Sequence, residues 1–276
     1  MNSGSGSQME KIPLSVAIIA FNEEGNLPGC LESLAFARQV IVVDSGSTDD
    51  TVEIARRFGC DVFVEPWRGG FGRQKQFAVD QCRNPWVLVL DADERLPEET
   101  AHVIADIVKN PSEIAAGFSF PRKNFFQGRW IRHAGWWPDR IVRLFRRGRG
   151  RVTPDEVHES VEVEGTIHHL DVPIEHFTES RLSELLKKID RYSTLGARKA
   201  FSEGKTSSVP AAFFRAVCTF VQDYTLRGGF LDGAPGLTLA MTDSINKFFK
   251  YAKLAELNRL STARAGGGKD SCGRGQ

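Results

Sequence analysis

Short apolar runs alternate with segments of helical period along the first hundred-odd residues. Residues 14–20 (LSVAIIA) have the length and continuity of a strand buried on both faces. A helical stretch over 27–37 follows. Residues 39–43 (QVIVV) read as a second buried strand ending at Asp44, and SGSTDD leads from it into the helix TVEIARRFG, closed by Gly59. Residues 61–64 (DVFV) form a third strand. A loop carrying Gly69, Gly70 and Gly72 precedes a helix over 73–81. Residues 86–90 (WVLVL) make a fourth strand that runs into Asp91-Ala92-Asp93, and Leu96-Pro97 opens another helix. Buried strands alternating with helices predict an α/β fold with a doubly wound, mostly parallel sheet.

The pattern then changes. Residues 116–120 and 140–145 (RIVRLF) read as strands, separated by a loop with Phe125, Phe126, Trp130, Trp136 and Trp137. Residues 161–163 and 167–172 read as a hairpin around Gly165, so this part of the sheet is expected to be mixed. From residue 182 the period is helical, with helices expected over 182–201, 211–226 and 237–258. The resulting division is a flexible N-terminus (1–11), an α/β domain (12–180), a helical C-terminal region (181–262) and a Gly-rich disordered tail (263–276).

Composition narrows the class. Of 276 residues, 41% are hydrophobic, enough for a sizeable core. Thirty-six Lys and Arg nearly cancel 35 Asp and Glu, so bulk charge gives no reason to expect nucleic acid. Cys30, Cys60, Cys82, Cys218 and Cys272 form no CxxC pair, which fits a reducing cytoplasm. The opening residues have no apolar segment of the signal-peptide kind, and no stretch has the length and apolarity of a membrane-spanning helix.

Three polar clusters stand where the predicted strands end: Ala20-Phe21-Asn22-Glu23-Glu24, Asp44-Ser45-Gly46-Ser47-Thr48-Asp49 and Asp91-Ala92-Asp93-Glu94. Ligands of parallel α/β sheets bind at that edge. A carboxylate pair directly after the buried VLVL run is costly to leave uncompensated. A hard divalent cation shared with a diphosphate would neutralise it; the structural alternative is capping of the next helix or an Asx turn. Asp44 can accept from a base or ribose, while Ser47 with Asp50 resembles a capping box. Neither a GxGxxG nor a GxxxxGK[ST] motif occurs, which counts against dinucleotide oxidoreductases and P-loop NTPases.

These runs, together with Gly72-Arg73-Gln74-Lys75-Gln76, resemble family 2 glycosyltransferases of the GT-A fold. Pro138-Asp139, Arg143-Leu144-Phe145-Arg146, Val157-His158-Glu159, Gly229-Phe230-Leu231-Asp232-Gly233 and Lys250-Tyr251-Ala252-Lys253-Leu254 resemble a bacterial branch that glycosylates the lipopolysaccharide core. The resemblance implies inverting transfer from a nucleoside-diphosphate sugar, UDP-hexose being the first expectation, with Mg²⁺ or Mn²⁺. It implies that Ala20, Phe21, Asn22, Glu23, Asp44, Ser45, Ser47, Lys75, Asp91, Ala92 and Asp93 line the donor site. Asp93, with Asp91 beside it, would face the metal.

Inversion needs one base for the acceptor hydroxyl. The Glu-Asp pair used by many relatives is missing at its usual place, leaving Glu159, with His158 adjacent, and Asp139 as candidates. Trp136 and Trp137 can stack on a sugar, and Arg140 and Arg143 can bind acceptor phosphates. His168, His169 and His176 lack zinc spacing and read as structural. The C-terminal helices mix Phe213, Phe214, Val217, Phe220, Val221 and Tyr224 with cations, which suits either the membrane surface on the cytoplasmic side or a second subunit. The acceptor is expected to be a cell-envelope glycan or glycolipid. The alternatives are a polyprenyl-phosphate glycosyltransferase and a non-catalytic nucleotide-sugar-binding protein.

Overall fold

The apolar run at 14–20 extends to β1 (Ile12–Ala20), which takes a central place in a mixed sheet. The computed structural model describes residues 10–67, 69–154, 159–178 and 182–267. The chain divides into two units, Met1–Phe125 with Pro138–Thr178 and Phe126–Trp137 with Glu179–Gln276. The N-terminal segment expected to be flexible lies, through residue 9, outside the described residues.

In the α/β unit, β1 lies between β2 (Ala37–Asp44) and β4 (Trp86–Asp91), parallel to both, and β3 (Asp61–Val64) pairs parallel with β2. Successive residues of these strands enter opposite cores. Leu14, Val16, Ile18, Val42, Leu88 and Leu90 join one cluster, and Ala17, Ile41, Val43, Val87 and Val89 join the other. This is why the strands read as continuous apolar runs rather than alternating ones. The first cluster packs on α1 (Leu27–Glu32), α2 (Thr51–Arg57) and α4 (Glu98–Lys109), the second on α3 (Phe71–Asp80).

Beyond β4 the sheet turns antiparallel. β8 (Asp139–Arg146) pairs antiparallel with β4 on one side and with β6 (Ala115–Phe126) on the other. β11 (Thr166–His169) and β12 (Ile174–Phe177) run parallel to successive halves of β6, and β5 (Glu94–Arg95) pairs antiparallel with β12. The expected hairpin around Gly165 does not form. Val161–Val163 is β10, which pairs with β9 (Gly150–Val152), while β11 joins β6. Gly165, at φ +126, is where the chain leaves one sheet for the other. The first helix is also shorter than 27–37, because the chain turns after Glu32 and Ala37 already belongs to β2.

The helical unit contains α5 (Leu182–Ser202), α6 (Val209–Val221), a π turn (Gln222–Leu226), a 3₁₀ turn (Gly229–Asp232) and α7 (Gly233–Gly267). Helix α7 runs past Ala263, where disorder was expected to begin; residues 268–276 lie outside the described residues. Lys253 on α7 reaches Asp190 Oδ1 at 2.7 Å and the Ser193 and Thr194 hydroxyls on α5. The segment Phe126–Trp137, with β7 (Arg129–Trp130), belongs here rather than to the α/β domain as expected. Buried Asp232 explains that: its carboxylate accepts the Arg132 and His133 backbone N–H groups and meets His133 Nδ1 at 3.1 Å. Among the described residues, no helix is long and apolar enough to cross a membrane.

Burial and the neighbouring Asp223 carboxylate push the Asp243 carboxyl up to about 6. A raised acid contributes stability below its unfolded pKa and loses it as pH rises through the folded one. Asp243→Asn is therefore expected to stabilise the protein at pH 7.5 by on the order of 2 kcal/mol. The gain should vanish as pH falls toward 4. Thermal melts of both proteins across that range check it.

Candidate active site

The register brings the three strand ends to one edge. Ala20 lies opposite Asp44 on β2, and Ile19 opposite Asp91 on β4. The first two loops are then laced together. The Asn22 N–H donates to Ser47 Oγ at 2.8 Å, Thr48 N–H to Asn22 Oδ1 at 2.8 Å, Glu23 N–H to Thr51 Oγ1 at 2.8 Å and Glu24 N–H to Asp49 Oδ2 at 3.2 Å. Ser45 N–H donates to Ala20 O. Asn22 sits at φ 55, a conformation Asn adopts more readily than most residues. Asp44 is buried and accepts from Gly46 N–H, Ser47 N–H and Ser47 Oγ, so it closes its own loop. The expected capping box is not formed: Ser47 Oγ is spent on Asp44, and Asp50 at the N-cap of α2 makes no side-chain cap. Phe21 stands 58% exposed at this edge, an unpacked ring beside polar loops.

The third strand end is organised by charge. Lys75, only 5% exposed, places Nζ 2.6 Å from Asp91 Oδ1 and 2.8 Å from Glu159 Oε1. Arg143 Nη2 lies 2.7 Å from Asp91 Oδ2 and 2.6 Å from Glu94 Oε1. Fully buried Glu94 also accepts the Asp91 N–H at 3.0 Å. Arg122 continues the series at 3.7 Å from Glu94 and 2.6 Å from Asp139. Acid and base thus alternate from Glu159 through Lys75, Asp91, Arg143, Glu94 and Arg122 to Asp139.

Burial pushes the Asp91 carboxyl up, but Lys75 and Arg143 outweigh it and hold the group well below the usual carboxylate range. Burial pulls Lys75 down, and Asp91 with Glu159 more than restores it, so the ammonium is held above its ordinary value. Arg143 is likewise held cationic by Glu94 and Asp91 against its burial. The charge that was expected to require a metal is met, at Asp91, by protein cations.

Helix α3 positions this centre residue by residue. A Cβ on Gly72 would run into the Thr153 carbonyl, so glycine permits the close approach of the segment after β9. Gln74 Nε2 donates to Glu65 O, and Gln76 Oε1 accepts the Val152 N–H at 2.7 Å. Thr153 N–H donates to Ser160 O and Ser160 N–H to Thr153 Oγ1, closing the β9–β10 connection that carries Glu159. His158 lies outside the described residues.

Asp93 stands apart from the charge series. Its Oδ2 is 3.2 Å from His176 Nε2, while His176 Nδ1 is 2.6 Å from Asn124 Oδ1. With Nδ1–H donated to Asn124, Nε2 meets the carboxylate lone pair to lone pair, so a proton or a cation must lie between them. Burial pulls the imidazole down, but the hydrogen bond and charge of Asp93 leave it raised above its ordinary value. His176, read from the sequence as structural, comes to the strand edge because β12 pairs with β5.

The residues expected at the acceptor have other engagements. Arg143 is buried in the carboxylate series, which corrects its placement on an acceptor phosphate; its buried Nε has no hydrogen-bond partner. Arg140 donates to Leu170 O and Asp171 Oδ1, both at 2.7 Å. Asp139 holds Arg122 through Nε and Nη2. Trp136 packs against Phe126, Ile131 and Leu239, and Trp137 lies edge-on to Trp130, within the helical unit.

A parallel β-α-β half with an acidic strand edge, continued by an antiparallel half and a helical segment, defines an α/β fold of the GT-A kind. The chain belongs to glycosyl transferase family 2: the model of the family described as "Glycosyl transferase family 2" matches residues 15–161. It is similar to the lipopolysaccharide core biosynthesis glycosyltransferase LpsC of Rhizobium meliloti (strain 1021), at 33% identity over 91% of this chain and 94% of that protein. Among solved structures it is similar to glucosyl-3-phosphoglycerate synthase from Mycobacterium tuberculosis in complex with Mn²⁺, UDP and phosphoglyceric acid. That match has 20% identity, TM-score 0.44 and coverage of 63% of this chain and 73% of the other. S. aureus TarS 1–349 in complex with UDP-GlcNAc matches at 14% identity and TM-score 0.45, over 90% and 92%. The chain is a glycosyltransferase of this family and a homologue of a lipopolysaccharide core enzyme.

Lys75→Met leaves Asp91 and Glu159 without their shared cation and is expected to cost about 3 kcal/mol. Adding Asp91→Asn should restore a large part of that loss, since the two sites share one interaction. Urea unfolding of both single variants and the double variant measures the coupling; strictly additive losses would contradict the series described above.

Proposed function

We propose that this glycosyltransferase inverts the anomeric centre of a nucleoside-diphosphate sugar, UDP-hexose in the first instance, as it transfers the sugar to a cell-envelope glycan of the lipopolysaccharide-core type. The observation that carries the reading is the convergence of Phe21, Asp44, Asp91, Lys75 and Glu159 at one edge of the parallel strands. Phe21 offers a face for the base, and the laced loops of Asn22–Glu23 and Asp44–Ser47 set the shape of the nucleoside cleft, with Ala20, Ser45 and Ala92 supplying backbone there. Lys75 supplies the cation nearest the diphosphate.

A divalent cation, Mg²⁺ or Mn²⁺, fits Asp93 better than Asp91. Both Asp91 oxygens already have protein cations, whereas the Asp93 carboxylate presents the oxygen donor such an ion takes, with His176 Nε2 beside it as a nitrogen donor open to Mn²⁺ rather than to the harder Mg²⁺. Among the described residues, no three His, Cys, Asp or Glu side chains converge into a cage. That is the expected form for an ion that shares its shell with substrate phosphates and water. When bound, the ion would stabilise the charge developing on the leaving diphosphate.

Glu159 is the base in this reading: its carboxylate takes the proton of the acceptor hydroxyl as that oxygen attacks the anomeric carbon. Lys75 orients it through the 2.8 Å ion pair. Asp139, bound twice by Arg122, is the weaker candidate. Arg140 remains a proposed acceptor contact of the α/β unit, and Trp136 and Trp137 a separate proposal for the helical unit. The enzyme works at the inner face of the cytoplasmic membrane, where lipid-anchored acceptors are made.

Isothermal titration with UDP is expected to show binding strengthened by Mn²⁺, and Asp93→Ala to abolish the strengthening. Absence of binding to every nucleoside diphosphate would overturn the donor assignment. Glu159→Gln is expected to bind donor normally and to lose transfer by about 10²–10⁴-fold. Retained turnover would move the base elsewhere.

A further inference from the structure

Helix α6 is built inside out. Its packed face carries small residues: Ala212 and Ala216 are buried, and the Ala216 carbonyl accepts from Ser244 Oγ of α7 at 2.8 Å. The large apolar residues point to solvent. Phe213 is 63% exposed and Phe214 69%, with Val217 and Val221 one and two turns on, and Leu226 of the π turn is 80% exposed. Positions 213, 214, 217 and 221 recur at helical spacing, so they form one stripe rather than scattered exposures. Leu231 in the following 3₁₀ turn is half-exposed as well. Contiguous exposed apolar surface of this kind marks a docking face.

Charge identifies what covers it. Residues 179–276 hold sixteen Lys and Arg against nine Asp and Glu, whereas residues 1–178 hold twenty against twenty-six. The near-neutral whole conceals a cationic helical region joined to an anionic remainder. Arg215, which stacks on Tyr251, Arg227, which follows the π turn and pairs with Asp223, and Lys247 on α7 are all exposed. An apolar stripe on a helical region with a net excess of cations matches the interfacial zone of an anionic bilayer, which takes the rings into its acyl boundary and attracts the positive charge of the region. A second copy would instead bring two cationic surfaces together. The stripe can lie on a bilayer without crossing it, since no described helix is long and apolar enough to span one.

We propose that the Phe213–Phe214–Val217–Val221–Leu226 stripe of α6 seats the enzyme on an anionic lipid surface. This names the face behind the membrane location given above, and it stands on residues of the helical unit alone.

The test is co-sedimentation of the full chain with vesicles of phosphatidylethanolamine and phosphatidylglycerol, with phosphatidylcholine vesicles as the neutral control. The wild type is expected to bind the anionic vesicles, to bind the neutral ones more weakly and to be released by added salt. Phe213→Ser/Phe214→Ser is expected to lower the partition at least about tenfold, with an unchanged melting temperature because both rings are exposed. Val221→Ser/Leu226→Ser is a second variant with the same expectation. Equal partition of wild type and both variants, or no vesicle binding by wild type, overturns the proposal. So does a wild-type dimer in lipid-free light scattering that becomes monomeric in the variants, because the stripe then covers a second copy. UDP titration of the same variants reads the α/β unit separately, so failure of the membrane face and failure of the donor assignment are distinguishable.

Discussion

A carboxylate at the end of the most buried strand has to be compensated, and the α/β unit is organised around meeting that demand. Asp91 follows five apolar residues of β4, and its oxygens are taken by Lys75 from α3 and Arg143 from β8. A buried charge without a partner costs several kcal/mol, so these three elements are fixed relative to one another by one electrostatic requirement. The same two cations carry the order outward. Lys75 holds Glu159, and Arg143 holds Glu94, which in turn fixes the turn after β4.

The consequence for chemistry is a division of labour within Asp91-Ala92-Asp93. Asp91 belongs to the scaffold of charges that fixes Lys75, and through it Glu159, at the strand edge. Asp93 faces His176, with which it forms the nitrogen-and-oxygen pair suited to a cation. Helix α3 links the two halves of the site. Gly72 admits the segment after β9, Gln76 pins Val152, and Lys75 joins Glu159 to Asp91. The exposed apolar stripe on α6 is separate from this centre and lies in a net-cationic region of the chain, where residues 1–178 are net acidic.

Much of the parallel half was legible in the sequence because burial on both faces leaves an unmistakable signature: uninterrupted β-branched and leucine runs ending in acids. The strand ends at Asp44 and Asp91 and the helices around Ile54 and Lys75 follow from that pattern. The later strands were less legible. Gly165 marks a real change of direction, yet periodicity cannot say whether the flanking strands pair with each other or with distant partners, and they took β9 and β6. The place of His176 was hidden for the same reason, since the pairings of β12 with β5 and β6 bring it to Asp93, 83 positions away. Arg143 reads as a surface phosphate binder in sequence because the identity of a buried ion's partner is a property of the folded sheet. The apolar residues of α6 stood out in the sequence, but an amphipathic pattern does not say which side is packed, and only the structure shows Ala212 and Ala216 turned inward.

The assignment of different cation partners to Asp91 and Asp93 is tested most directly by anomalous diffraction from crystals grown with Mn²⁺ and UDP. The account predicts one manganese peak coordinated by the Asp93 carboxylate and His176 Nε2, with Asp91 still bound to Lys75 and Arg143. A peak coordinated by Asp91, with Lys75 or Arg143 displaced from it, would contradict the account.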